Sequence, residues 1–190
     1  MGFKFFISFA ILLMLSACVN KSFAPQIVYG DRSTLSFSGK GAAAGMMMDA
    51  YMGGAGVAIG IAIDEGIAKD ITANLSNRPG GFDILALVNN ELNSIAHITS
   101  KNRKQISATK IIIETYGFHS AKGDGDKVSA WLKIRFNSQD GNMLLTYPDD
   151  FELPAAIIEF NDAKRNPELA FNTLKDATDL VLAKWISTFK

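Results

Sequence analysis

Seven glycines fall between Gly41 and Gly66 with no proline among them, and this stretch restricts the fold more than any other part of the chain. They are Gly41, Gly45, Gly53, Gly54, Gly56, Gly60 and Gly66, interleaved with Ala42-Ala43-Ala44 and Met46-Met47-Met48. Small residues recurring every three or four positions predict a helix from Gly41 to about Leu75, with a break at Gly53-Gly54. Each glycine inside a helix costs roughly 1 kcal/mol relative to alanine, so the glycines need a compensating contact. Gly41/Gly45 and Gly56/Gly60 have the GxxxG spacing, which puts a flat strip on a helix and lets another backbone come close. Gly45, Gly53, Gly56 and Gly60 are therefore candidates for helix packing or partner contact. Three destinations for the strip stay open: packing inside its own domain, self-association or docking on a partner, and entry into a bilayer. Length opposes the last, because the charge-free run Ala50 to Ile63 gives only ~21 Å of helix against ~30 Å of hydrocarbon. Extending it back to Gly41 would bury Asp49.

Beyond Ile63 the pattern turns amphipathic. Ile67, Ile71 and Leu75 share one face, and Asp64, Glu65, Lys69 and Asp70 lie away from it. Arg78-Pro79-Gly80-Gly81 is a break, and Ile84, Leu85, Val88, Leu92 and Ile95 then follow helical spacing to about His97. Ser100 to Gln105, with Lys101, Arg103 and Lys104, reads as a solvated connector. Strand signals lie at Gln26 to Tyr29 and Ser33 to Ser38, as one strand or a small hairpin around Gly30-Asp31-Arg32. Three more follow at Thr109 to Phe118, Val128 to Asn137 and Met143 to Tyr147, an expected antiparallel meander. Its turns are Lys122 to Lys127 and Asp140-Gly141-Asn142. Ala155 to Phe160 suggests a short further element. Asn166-Pro167-Glu168 is a helix start, with Asn166 as cap and Pro167 in the first turn, and that helix is expected to end near Ser187. The fold class implied is α+β: a small antiparallel sheet of about three to five strands, packed by a Gly-rich helix (41–66), an amphipathic helix and a C-terminal helix. A chain of 190 residues allows one such domain, placed at 26–190.

The N-terminus has its own order of parts. Met1 to Lys4 is short and basic, Phe5 to Leu15 is almost wholly apolar, and Ser16 and Ala17 precede Cys18, the sole cysteine. That is the order of a secretion signal, 1–17, and its ~16 Å as helix is too short to span. Leu15-Ser16-Ala17-Cys18 resembles the lipobox of bacterial lipoproteins. The resemblance implies recognition of Leu15, Ser16 and Ala17 by the lipoprotein signal peptidase, cleavage before Cys18, and acylation of Cys18 with diacylglycerol and often a further chain such as palmitate. Two or more acyl chains hold a protein stably on a membrane. Val19 and Asn20 follow the cysteine, where inner-membrane retention commonly uses aspartate, so the resemblance favours the outer membrane, periplasmic face. Residues 18–25 form a tether spanning at most ~25 Å. With no second cysteine, the domain must be stable without a disulfide. The segment 41–66 also resembles, in composition, the glycine-zipper lipoproteins of the cell envelope.

Nineteen basic residues balance nineteen acidic ones, so no field favours nucleic acid. HExxH, GxSxG, P-loop and CxxC motifs are all missing from the sequence, and His97 and His119 are the only histidines. Asp124 and Asp126 are too few oxygens for a calcium loop and read as turn residues. The expectation is a non-enzymatic lipoprotein, without metal or cofactor, held to the membrane by its lipid. Its partner would be another envelope protein or a second copy, met through the Gly-rich helix. The alternative is a carrier holding a lipid or other apolar ligand between the sheet and that helix.

Overall fold

The computed structural model describes residues 25–32, 34–95, 100–121, 123–152 and 155–189. The signal segment, the lipobox through Cys18, nearly all of the tether, and His97 lie outside the described residues. The fold is α+β. Strands β1 (Gln26–Tyr29) and β2 (Ser36–Ser38) lead into helices α1 (Lys40–Met52), α2 (Ala55–Ser76), α3 (Ile84–Ser94) and α4 (Ser100–Ser107). Strands β3 (Lys110–Ala121), β4 (Asp124–Ser138), β5 (Gly141–Tyr147) and β6 (Ile157–Glu159) follow, then helices α5 (Phe160–Arg165) and α6 (Pro167–Ile186).

The expected meander of β3, β4 and β5 is present: β4 pairs antiparallel with β3 on one side and β5 on the other. The sheet as a whole is larger than expected and is mixed, with six strands. β1 and β2 do not form a hairpin with each other. Both run parallel to β3, end to end along its free edge, Gln26 opposite Lys110 and Ser38 opposite His119. β6 occupies the matching place beside β4, past the end of β5. Gly117 makes room for β2: its φ is +151° and an added Cβ would fall on the Ser36 carbonyl.

Alternation in β4 sorts the two faces. Val128, Ala130, Leu132, Ile134 and Phe136 are buried, while Trp131, Lys133 and Arg135 are only half-buried on the other face. Against the apolar face pack Ile67, Ile71 and Leu75 from α2, Ile84, Val88 and Leu92 from α3, and Leu174, Val181 and Trp185 from α6. Trp185 stacks on Phe136 at 4.4 Å between centroids. The start of α6 is capped as the sequence suggests, Leu169 N–H donating to Asn166 Oδ1 at 3.1 Å with Pro167 in the first turn. One expected loop is instead helical: Ser100–Ser107 forms α4, which buries Ile106. A single apolar residue leaves no periodicity from which to infer a helix.

Candidate functional site

The break at Gly53-Gly54 folds the Gly-rich segment back on itself. α1 and the first half of α2 are antiparallel and form a helical hairpin, seamed by the glycines. A Cβ on Gly41 would fall on the Gly60 carbonyl, one on Gly45 would sit 3.0 Å from the Gly56 carbonyl oxygen, and one on Gly56 would sit 2.7 Å from Asp49 Cα. A Cβ on Gly60 would fall on the Gly41 carbonyl and sit 3.3 Å from the Gly45 Cα. Of the candidate glycines, Gly45, Gly56 and Gly60 are thus brought together, and Gly41 joins them. Gly53 has a different place: it sits at the turn with φ +58°, and a Cβ there would meet no atom within 4 Å, so its glycine character serves the reversal. Its N–H donates to the Asp49 carbonyl at 2.9 Å, and Gly56 N–H donates to the Gly53 carbonyl at 2.8 Å.

The root is fastened by a residue whose role the sequence hides. Asp64 looks like one more charge on the polar face of α2. It accepts from Gly39 N–H (3.1 Å) and Gly41 N–H (2.7 Å), so a carboxylate from one helix caps the N-terminus of the other, which has no side-chain cap of its own. Lys40 adds an ion pair with Asp126 at 3.4 Å and lies 4.0 Å from the Phe160 ring centroid. Asp64→Ala is expected to destabilise the hairpin by about 1–2 kcal/mol, and Asp64→Asn, which keeps an acceptor oxygen, by less. Amide exchange across Lys40 to Met52 measures it; unchanged exchange in Asp64→Ala would mean the cap is idle.

Outside its seam the hairpin surface is apolar except at the exposed Asp49. Met46, Met47 and Tyr51 are 76%, 75% and 92% exposed, and Met48, Met52, Val57 and Ile61 are also exposed. Asp49 is the only charged residue from Gly41 to Ile63. One broad face holds an open groove of about 240 Å³, lined by Gly41, Ala42, Gly45 and Gly60, by Met46, Val57 and Ile61, and by Asp64. Soluble helices normally confine apolar residues to one stripe, and contiguous exposed apolar surface marks an interaction site. Among the described residues, no helix is long and apolar enough to cross a membrane.

The remaining titratable clusters are engaged in holding the fold. Between α3 and α6, Lys175 Nζ lies 2.6 Å from Asp179 Oδ2 and 3.1 Å from Glu91 Oε2. Burial pushes the Asp179 carboxyl above its usual range, reinforced by its hydrogen bond with Glu91. Burial also acts to raise Glu91, but hydrogen bonds from Asp179 and Lys175 outweigh it and hold that carboxyl low. Tyr116 is pushed up to about 12, first by burial and then by the neighbouring Tyr29 and Asp83. Asp124 Oδ1 accepts from Asp126 N–H at 3.0 Å and Asp124 also pairs with Lys127, so this pair closes its own turn. His119 lies on β3 opposite Ser129 and Ser38. Among the described residues, no group of three or more His, Cys, Asp or Glu side chains is placed to hold a metal ion. The chain matches no family model, no curated protein and no solved structure.

Proposed function

We propose that this chain is a membrane-anchored periplasmic lipoprotein, lipidated at Cys18, with a non-enzymatic accessory role in which the helical hairpin is the contact element toward another envelope protein or a second copy. The observation that carries the reading is the exposed apolar surface surrounding the hairpin, on a domain whose core is otherwise closed. The glycine strip itself is occupied, because α1 and α2 use it against each other. Contact therefore falls to the outward methionines, Tyr51, Val57 and Ile61. The carrier reading has less in its favour. The space between the sheet and α2 is filled by Ile71, Leu75 and Phe118, all fully buried, and the groove lies on the hairpin instead.

Extracted in mild detergent, the full-length lipoprotein is expected to migrate as a complex larger than one chain. Met47→Glu with Tyr51→Glu should migrate as a single chain with an unchanged circular dichroism spectrum. A wild-type protein that already runs as a single chain overturns the reading. Labelled palmitate should enter the wild type and not Cys18→Ala, and label that persists in the variant overturns the anchor.

A further inference from the structure

We infer that Glu91 on α3 and Asp179 on α6 hold one proton between them, and that this proton makes the α3–α6 contact a pH-sensitive joint, tightest in acid and looser as the pH rises. The joint is separate from the hairpin and from the lipid anchor, so it goes beyond the proposed contact role. Three observations carry it.

First, two carboxyl groups meet one ammonium. Lys175 Nζ lies 2.6 Å from Asp179 Oδ2 and 3.1 Å from Glu91 Oε2, and Glu91 and Asp179 are themselves hydrogen-bonded. An ionised carboxylate only accepts, so a hydrogen bond between two carboxyl groups requires a proton on one of them. With that proton the cluster is neutral: one carboxylate, one carboxylic acid and one ammonium. Without it, two like charges share a single lysine, an arrangement that favours keeping one carboxyl protonated.

Second, water does little for the pair. Glu91 is 8% exposed, and Asp179 Oδ1 is buried and receives no hydrogen bond among the described residues. Lys175 reaches Oδ2 instead. An ionised carboxylate would leave that buried oxygen without a donor, whereas a protonated one is itself a donor.

Third, no further cation is at hand. Among the described residues, the charged groups that bear on Glu91 and Asp179 are each other and Lys175. Glu91 also lies in the last turn of α3, beside the negative end of the helix dipole, where Ser94 Oγ at 3.3 Å supports its charge.

The direction follows from the two carboxyls. Burial, with Glu91 beside it, holds Asp179 above its usual range. Its contribution is full below the ordinary aspartate value of ~3.9 and is lost as pH rises through the raised value. Burial acts to raise Glu91 as well, but its hydrogen bonds from Asp179 and Lys175 outweigh that and hold it low. Its contribution is full above ~4.3 and is lost only as pH falls through the lowered value. On the alkaline side the Asp179 O–H bond breaks, the proton passes to water, and the cluster takes a net negative charge that loosens the last turn of α3 from α6.

The test follows the carboxyl carbons of the full-length protein in mild detergent by NMR, from pH ~3 to ~9, a range that brackets ordinary carboxyl values. Signals missing from Glu91→Gln and Asp179→Asn assign the two carbons. Asp179 should titrate above ~3.9, and the Glu91 carbon should sense the same step. Glu91→Gln puts a permanent N–H donor in place of the proton, so Asp179 should then titrate at or below its ordinary value. Amide exchange at Leu92 to Ile95, corrected for its intrinsic rate, should rise as the proton leaves, by up to about tenfold per unit of upward shift. In Glu91→Gln it should stay flat. Two simple titrations near ~4 in the wild type overturn the shared proton, whether or not the variants fold. A raised Asp179 step that persists in Glu91→Gln assigns it to burial alone and overturns the sharing. A raised step with unchanged exchange in α3 overturns the joint.

Discussion

Gly60→Leu is expected to detach α1 from α2 and leave the rest of the domain folded. The Gly60 Cα faces the Gly41 carbonyl and the Gly45 Cα, and a Cβ alone would come within 3.1 Å of the Gly41 carbonyl carbon. An isobutyl group needs the two helices to move apart by an ångström or more, a shift on the scale that costs about 1–3 kcal/mol or more in a packed interface. Separation also removes the contacts of Gly41, Gly45 and Gly56 together, because one rigid helix carries both members of each pair. Once detached, α1 has 13 residues, near the ~12–15 below which isolated helices are marginal in water. The measurement is amide exchange: protection across Gly41 to Met52 should fall by orders of magnitude while Leu132 and Ile134 in β4 stay protected. Gly54→Ala is the control, since nothing lies within 4 Å of its added Cβ and its φ is an ordinary −49°. Retained protection of α1 in Gly60→Leu would show that the seam does not hold the hairpin.

Trp185→Ala is expected to lower global stability by about 3–5 kcal/mol, the range for removing a buried large aromatic. The indole is 3% exposed, stacks on Phe136 and meets Phe189 edge-on at 5.0 Å. It thus joins α6 to the centre of the sheet through β4. With total stabilities near 5–15 kcal/mol, such a loss takes a large part of what holds this domain. Trp185→Phe keeps a ring against Phe136 and should lose less. Urea unfolding followed by circular dichroism gives both values, and a loss below about 1 kcal/mol for Trp185→Ala would contradict the place given to this side chain.

These two sites differ in how far the sequence announced them. Val128 to Phe136 alternates so regularly that its strand and its buried face are written in the residues, and the Asn166-Pro167 cap is a local signal for a local structure. The C-terminal stripe containing Trp185 is readable for the same reason. Parallel pairing of β1 and β2 with β3 is not: each is a few residues long, its partner is about 80 positions away, and no turn links them to reveal the register. The glycine strip was legible as a close contact but not as a contact with itself. A GxxxG face looks the same whether its mate is the next helix or another molecule. Gly53-Gly54 was readable as a break, yet Gly53 also counted among the packing glycines, because a reversal and a packing face both ask for glycine. Asp64 was hidden by its surroundings on a polar helix face, where its acceptor role depends on a backbone 23 residues away.

The end-to-end arrangement of β1 and β2 along β3 also sets a direction. The chain enters the sheet at Gln26 beside Lys110 and leaves it at Ser38 beside His119, nine residues or ~30 Å farther along β3. There Asp64 fastens the hairpin root, α2 runs on to Ser76, and Asp83, the cap of α3, accepts from the Tyr29 hydroxyl at 3.3 Å. The hairpin adds ~14 Å beyond the root. On the proposed lipidation of Cys18, the anchored segment enters the sheet at the Gln26 end of β3, whereas the hairpin root lies at the His119 end, so anchor and hairpin leave opposite ends of that strand. Strand β3 thus separates the end through which a lipidated Cys18 would hold the domain from the end at which the hairpin is exposed.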